Sequence, residues 1–176
     1  MRYTLTAVLF LTITISLRAT SFVATDLGEL TRDARTIARG VVVAVDSRWS
    51  DDRSRIETLV TLEAEQYLKG SFGPTVQFSV PGGRVGRYRS IVVGAPQFTT
   101  GDRVVVFLAG SAPNLPHVIG LSQGLFRVVS DSEGWKVTPP PIVTSSTRIV
   151  RGDPTHRPMA LEAFEQQVRS LVGDSR

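Results

Sequence analysis

The chain has 176 residues, and its 20 Lys and Arg side chains against 16 Asp and Glu give a formal net charge of +4. Hydrophobic residues make up 41% and charged residues 20% of the sequence, which is typical of a globular protein and excludes an intrinsically disordered one. The sequence contains no cysteine, so disulfides, thiol catalysis, a lipid-modified cysteine and cysteine-based zinc sites are all excluded.

The first 24 residues have the pattern of a secretory signal peptide. Arg2 supplies a positive start, residues 6–17 form an uncharged apolar run, and small residues follow at Ala19, Ser21 and Ala24. The run is shorter than the roughly 20 residues that a transmembrane helix needs, so a permanent anchor or a buried N-terminal helix is the weaker interpretation. We predict cleavage between residues 19 and 24, export to the periplasm or the extracellular space, and no stable membrane span afterwards. Cleavage would remove Arg2 and Arg18 and lower the net charge to +2.

After the signal, the sequence predicts a short helix followed by a series of strands. In residues 26–34, Asp26 can cap the helix with Glu29 three residues later. Residues 55–68 alternate apolar and polar side chains, which is typical of a strand with one buried face. Residues 102–108 are almost uninterruptedly apolar, which is typical of a strand buried on both faces. The other predicted strands are short and separated by turn residues: 36–46, 76–80, 117–121, 125–129 and 135–137.

The C-terminal part of the sequence changes character. Residues 138–157 are rich in Pro, Ser and Thr and have no period, so we interpret them as a tether between a β-barrel domain at residues 25–137 and a helix at residues 158–173. We expect the amphipathic helix to dock on the sheet, with partner binding as the alternative. Its apolar stripe consists of Leu161, Phe164, Val168, Leu171 and Val172.

Several short segments between Ala34 and Leu108 carry a family resemblance. They are the strand 38–41, the strand 56–58 with its end at 67–70, the strand 76–80, and the segment 98–108 (FTTGDRVVVFL), in which a Gly-Asp turn precedes a buried strand. In these segments the chain resembles the netrin-like, tissue-inhibitor-of-metalloproteinases type of OB-fold. The turn 80–83 together with the segment 120–126 is similar to a loose group of small exported bacterial proteins of unassigned activity.

The resemblance implies a mainly β fold, an OB-like closed or partly open β-barrel with a short N-terminal helix and a C-terminal amphipathic helix. Closure would remove the exposed edges of the valine-rich strands. Inhibitors of this family present a cysteine-stapled N-terminal edge to the protease metal. Because this chain has no cysteine, the resemblance supplies no inhibitory residue here.

The sequence has no recognisable catalytic or metal-binding constellation. Its two histidines are His117, which follows a proline, and His156 in the tether, and no serine lies in a nucleophile elbow. Asp46, Asp51 and Asp52 crowd the first hairpin but lack the spacing of a calcium loop, so we interpret them as a solvated hairpin tip. We therefore predict no enzyme, no catalytic residue, no metal and no cofactor.

The candidate binding site is the loop after the strand 76–80. Arg84, Arg87, Tyr88 and Arg89 form the densest basic and aromatic cluster of the chain, and such a cluster suits an anionic polymer. An ordinary solvated loop is the alternative, and nucleic acid is not the expected ligand outside a cell. Residues 82–86 contain glycines as a phosphate cradle does, but a strand rather than a helix follows them. We therefore assign these glycines to turn geometry.

Together these features predict an exported, non-enzymatic binding or envelope accessory domain. The sequence does not identify its partner, and an extracytoplasmic protein or an anionic polymer are the open possibilities. The alternatives are an extracytoplasmic protease inhibitor by fold analogy and a hydrolase with an unrecognised site. A convergent pocket with perturbed acids would favour the enzyme, whereas an exposed groove without such acids would favour binding.

Overall fold

The computed structural model describes residues 25–110, 113–140 and 157–174 of the chain. In these residues the protein is mainly β, with one short helix before the strands and one longer helix after them. The elements in chain order are α1 (Leu27–Asp33), β1 (Thr36–Trp49), β2 (Ile56–Lys69), β3 (Thr75–Pro81), β4 (Gly83–Val85), β5 (Tyr88–Ser90), β6 (Arg103–Ala109), β7 (His117–Val118), β8 (Leu125–Asp131), β9 (Gly134–Thr138), β10 (Met159–Ala160) and α2 (Leu161–Asp174).

The large sheet is arranged around β1, which pairs antiparallel with β2 on one side and with β6 on the other. β3 pairs with β2 and meets β7 in one parallel pair, Ser79 with His117, while β7 pairs with the end of β6. β8 pairs with β6 next to β7, and β9 and β10 follow it. The strand order is therefore β1-β2-β3-β7-β6-β8-β9-β10, with the additional pairing of β1 to β6.

The hairpin of β1 and β2 provides the longest strands of the sheet, with 14 residues in each. The alternation predicted for residues 55–68 is confirmed in the first half of β2. There Ile56, Val60 and Leu62 are buried, while the side chain of Glu63 is exposed. This is the pattern of a strand that has one face against a core and one face in water.

The sheet separates two apolar cores. We call the first the helix-side core, because it lies between the sheet and the two helices, and the second the sheet-side core, because only strand residues build it. The buried residues of the helix-side core are Leu27, Leu30, Ala34, Ile37, Leu68, Val105, Phe107, Phe126, Val128, Val137, Leu161, Phe164 and Val168. Those of the sheet-side core are Ala38, Val42, Val60, Leu62, Val76, Phe78, Val80, Val104, Val106, Leu108, Val118 and Leu125.

β6 contributes to both cores, and this explains its apolar run. Val104 and Val106 lie in the sheet-side core, whereas Val105 and Phe107 lie in the helix-side core. All four side chains are completely buried. Successive side chains of a strand point to opposite faces, so a strand with a core on each side needs apolar residues at every position. The prediction of a strand buried on both faces is confirmed.

Both predicted helices are present and pack against the sheet. Asp26 caps α1 as expected, because its Oδ1 accepts a hydrogen bond from the backbone N–H of Glu29 at 2.7 Å. In α2, Phe164 and Val168 are buried in the helix-side core, and Leu171 packs at its edge. The expected docking of the C-terminal helix on the sheet is therefore confirmed.

Several element boundaries differ from the sequence prediction; β1, for example, ends at Trp49 rather than at residue 46. The predicted strand 117–121 ends at Val118, because the chain turns there and Leu121 has a φ of 59°. The C-terminal helix begins at Leu161 rather than at residue 158, because Met159 and Ala160 pair with β9. The loop predicted after β3 contains a hairpin of its own, formed by β4 and β5.

The signal peptide and most of the tether lie outside the described residues. They are the predicted segments 1–24 and 138–157, of which the structure describes only 138–140 and 157. Among the described residues, no helix is both long enough and apolar enough to cross a bilayer.

Candidate functional site

The predicted basic cluster lies on the β4–β5 hairpin. The two strands pair antiparallel with Gly83 opposite Ser90, Arg84 opposite Arg89, and Val85 opposite Tyr88. Directly opposite residues of an antiparallel pair project from the same face of the ribbon. The hairpin therefore places Arg84 and Arg89 side by side, although they are five positions apart in the sequence.

A close approach of backbone to side chains fixes this hairpin against the main sheet. Gly83 has a φ of 136°, and a Cβ atom on it would clash with the hydroxyls of Ser47 on β1 and Thr58 on β2. The two hydroxyl oxygens lie 2.9 Å apart, and Thr58 donates to the carbonyl of Gly82 at 2.8 Å. The glycine is required at this position because only a residue without a side chain fits above the hydroxyl pair.

Arg84 and Arg89 lie at the rim of a surface groove of about 550 Å³. Its apolar lining includes Val45, Val80 and Phe98, which come from β1, β3 and the loop before β6. The complete lining is Val45, Ser47, Thr58, Val80, Pro81, Gly82, Gly83, Arg84, Arg89, Ser90, Ile91, Val92, Ala95, Pro96, Gln97 and Phe98. Among the described residues the lining contains no carboxylate and no histidine, so the charged groups that they supply to it are the two guanidinium groups.

Arg87 and Tyr88 do not line this groove. The guanidinium of Arg87 lies 5.1 Å from the centre of the Tyr88 ring and donates to the Tyr88 hydroxyl at 3.0 Å. Tyr88 in turn contacts Trp49 of β1 edge-to-face, with ring centres 5.5 Å apart. The structure therefore divides the four predicted residues into a pair of arginines at the groove and a stack of Arg87, Tyr88 and Trp49 beside it.

The first hairpin tip is a solvated turn, as the sequence predicts. Asp46, Asp51 and Asp52 are all exposed. Hydrogen bonds from the Ser50 hydroxyl and from the backbone and hydroxyl of Ser54 hold the pKa of Asp52 down at about 2. The hydrogen bonds within the turn therefore account for the lowered pKa of this acid without any ligand.

The remaining candidates from the sequence are not brought together into a site. His117 is exposed on β7, and His156 lies outside the described residues. Within ranges 25–110, 113–140 and 157–174, no group of three or more His, Asp or Glu side chains is arranged to hold a metal ion.

A second cavity, of about 480 Å³, contains a charge network that the sequence does not reveal. Arg39 of β1 bonds Glu165 of α2 at 2.7 Å and lies 3.3 Å from Glu65 of β2, and Arg103 of β6 lies 2.8 Å from Glu65. The guanidinium of Arg103 also lies 4.5 Å from the ring centre of Trp135. Because Arg39 and Glu165 are 126 positions apart, no local pattern could have predicted this pairing.

No protein-family model, curated protein or solved structure is significantly similar to this chain. The function must therefore be argued from the site itself.

Proposed function

We propose that this chain is an exported, non-enzymatic binding domain that holds an anionic group of its ligand between Arg84 and Arg89. The observation that carries the proposal is the cross-strand pair of arginines at the rim of the groove, which has no carboxylate partner among the described residues. Like charges directly opposite each other destabilise a strand pair. An anion between the two guanidinium groups would remove this cost and would accept charge-assisted hydrogen bonds from both.

Arg84 and Arg89 are exposed, and the partly buried arginines of the protein differ from them in their partners. Arg39, Arg103 and Arg127 each have a carboxylate partner at between 2.7 and 3.3 Å. Among the described residues, neither Arg84 nor Arg89 has such a partner, and Arg84 makes only a 3.3 Å hydrogen bond to the carbonyl of Gly86. Other exposed arginines, such as Arg32 and Arg35, also have no carboxylate partner among the described residues. Arg84 and Arg89 differ from them because they lie directly opposite each other in a strand pair at the groove, where both can contact one ligand.

We further propose that the groove is the mouth of a small OB-like β-barrel of the netrin-like type. The pairings β1-β2-β3-β7-β6 return to β1 through the β1–β6 ladder, which supports a ring of five strands. The groove is lined by side chains near the end of β1, the start of β2 and the end of β3, together with the β4–β5 hairpin. Barrel mouths are common ligand sites, and the volume of the groove is in the range of small-molecule pockets.

The groove chemistry supports binding rather than catalysis. Its lining combines an apolar wall, three hydroxyl side chains and two cations, and the described residues contribute neither a carboxylate nor a histidine to act as a general base. The predicted signal peptide supports a location in the periplasm or outside the cell, where the accessible anions are carried by glycans, proteins and lipids.

The test is a binding titration of the mature chain with dextran sulfate as a soluble anionic polymer, at low and high salt. We expect salt-sensitive binding that weakens at least about tenfold in the double variant Arg84→Gln/Arg89→Gln, since two charge-assisted contacts are lost. The control Arg32→Gln/Arg35→Gln removes the same charge from exposed positions near α1. An equal loss in both double variants, or no binding by the unaltered chain, would contradict the proposal.

A further inference from the structure

Three consecutive aliphatic side chains are exposed directly after β5. Ile91 is 72%, Val92 37% and Val93 81% exposed. The other exposed large apolar side chains among the described residues do not form such a run; Val43 and Val129, for example, stand alone on β1 and β8. Singly exposed apolar residues are normal on protein surfaces, whereas a continuous exposed apolar segment marks an interaction site.

The backbone holds this segment away from the cores. Val92 accepts a hydrogen bond from the N–H of Ala95 at 3.1 Å, and Gly94 has a φ of 81°. This is the geometry of a type II turn, which has Val93 at its first central position. The carbonyl of Gly94 also accepts from Ser122 at 3.0 Å, and β5 fixes the other end of the segment. We call residues 91–93 the aliphatic tip.

The aliphatic tip lies beside the cationic groove. Ile91 and Val92 line the same groove as Arg84 and Arg89. Tyr88, half exposed, and Arg87 precede the tip on the β4–β5 hairpin. The acid opposite Pro81, Glu57, is bound to Arg48 at 2.8 Å and therefore adds no free negative charge. The β1–β2 hairpin tip beyond Trp49 carries the exposed acids Asp46, Asp51 and Asp52 together with Arg53 and Arg55, and none of these acids lines the groove. This end of the molecule thus combines exposed aliphatic side chains, an aromatic side chain and an excess of positive charge from Arg84, Arg87 and Arg89.

We infer that this end of the molecule docks on an anionic lipid bilayer. The inference rests on the proposed function, since the anions held by Arg84 and Arg89 would be the phosphates of lipid headgroups. A soluble anion would satisfy the arginines and leave the aliphatic tip in water. A bilayer surface accommodates both, because Ile91 and Val93 enter the boundary between headgroups and acyl chains while the arginines stay at the phosphates.

The aromatic stack fits the same orientation. Tyr88 and Trp49 are in contact beside the tip, and Tyr and Trp side chains favour the membrane–water interface because their rings are apolar and their polar groups stay hydrated. Three aliphatic side chains form a small anchor. We therefore expect reversible attachment that needs both the apolar tip and the anionic headgroups, and that weakens as salt is added.

The test is co-sedimentation of the mature chain with vesicles. One set is phosphatidylcholine alone and the other is about 70% phosphatidylcholine with 30% phosphatidylglycerol, which carries the anionic charge. We expect binding to the mixed vesicles only. The double variants Ile91→Ser/Val93→Ser and Arg84→Gln/Arg89→Gln should each weaken it at least about fivefold. The control Val43→Ser/Val129→Ser removes two exposed aliphatic side chains elsewhere and should bind normally.

A second readout follows the insertion directly. Trp49 and Trp135 are the only tryptophans of the chain, so in a Trp135→Phe background the fluorescence reports Trp49 alone. We expect its emission to shift to shorter wavelength on mixed vesicles and to be quenched by brominated lipid. These effects should be absent in the Ile91→Ser/Val93→Ser variant, whose folding can be checked by its melting temperature because both substituted side chains are exposed.

The outcomes separate this inference from the proposed function. If the chain binds dextran sulfate through Arg84 and Arg89 but does not bind the mixed vesicles, the lipid inference is wrong and the proposed anion site is supported. If neither binds, both are wrong. If the Ile91→Ser/Val93→Ser variant binds vesicles as well as the unaltered chain does, the tip does not insert into a bilayer. The inference is also wrong if the unaltered chain is a dimer in the absence of lipid and this variant is a monomer, because the tip then forms an interface between two copies of the chain.

Discussion

At the scale of single residues, the positions of Arg84 and Arg89 depend on Gly83. This glycine starts β4 and lies directly against the hydroxyl pair of Ser47 and Thr58. The hairpin can approach the main sheet only because no side chain is present there. The conformation of one backbone position thus controls the distance between the cationic rim and the apolar wall of the groove.

The first prediction concerns this glycine. Gly83→Ala would place a methyl group against Ser47 and Thr58 at a φ that alanine rarely adopts. We expect a loss of about 2 kcal/mol or more in the free energy of unfolding, from backbone strain and the clash together, with weaker binding to dextran sulfate. Urea denaturation and the binding titration measure the two effects.

Gly86→Ala is the matched control for this prediction. Gly86 also has a positive φ, 57°, but a methyl group there would meet no atom within 4 Å. The control should therefore cost only the backbone strain of about 1 kcal/mol. Equal effects of the two substitutions would mean that the clash with the hydroxyl pair has no influence on stability.

The sequence predicts the four residues of the candidate site but not how they are arranged. Their density in residues 84–89 is visible without a structure, since it needs only the residue types. The pairing of Arg84 with Arg89 depends on the register of a hairpin with three residues in each strand, whereas the residue types of this segment predict a loop. The contact of Tyr88 with Trp49 joins residues that are distant in the chain, so no local pattern reveals it.

At the scale of secondary-structure elements, α2 closes the helix-side core. Phe164 is 2% exposed and lies between two other aromatic rings, with ring-centre distances of 4.9 Å to Phe126 and 6.4 Å to Phe107. Glu165 next to it reaches Arg39 of β1 at 2.7 Å. The helix is thus held by an aromatic cluster on its buried face and by an ion pair at the edge of that face.

The second prediction tests the docking of α2. Phe164→Asp would empty the aromatic site and bury a charge, so we expect a loss of about 3 kcal/mol or more in the free energy of unfolding. Gln167→Asp introduces the same charge on the exposed face of α2 and should change the stability by less than about 0.5 kcal/mol. A melting temperature of the Phe164→Asp variant within a degree of the original would show that the helix contributes nothing to stability.

Elements with a long, clear period are predictable here, and elements defined by pairing partners are not. The alternation of β2 and the apolar stripe of α2 both result from burial of one face of the element. The spacing of apolar residues in the sequence shows this burial directly. β10 and the β4–β5 hairpin, which the sequence does not predict, have two or three residues per strand, and β7 is reduced to two residues of the predicted strand 117–121. Such short strands form because a neighbouring strand has free backbone N–H and C=O groups to pair with. Which neighbour is available depends on tertiary structure rather than on local residue types.

At the scale of the whole molecule, the described residues form a fold that is stabilised without disulfides. The sheet carries a core on each face, and β1 and β6 contribute side chains to both. The absence of cysteine means that the stability rests on this packing, in the cytoplasm and in an oxidising compartment alike. A chain of this kind can be exported without depending on oxidation for its fold.

The third prediction concerns the predicted signal peptide. Cleavage between residues 19 and 24 would leave Thr25, whose N–H donates to Gln123 at 2.7 Å, and Asp26, which caps α1. The mature chain would therefore keep every contact described for α1. We expect the intact mass of the exported protein to correspond to a chain that begins between residues 20 and 25.

Leu11→Arg provides the matched control, because a charge in the centre of the apolar run removes the feature by which the export machinery recognises a signal peptide. This variant should stay inside the cell at the mass of the precursor, while the exported form of the unaltered protein carries about two fewer positive charges than its precursor. Recovery of exported protein that still contains Arg2 and Arg18, or equal export of the Leu11→Arg variant, would contradict the assignment. The proposed anion site would then face the interior of the cell, where the anionic surface available to the aliphatic tip is the cytoplasmic leaflet of the membrane.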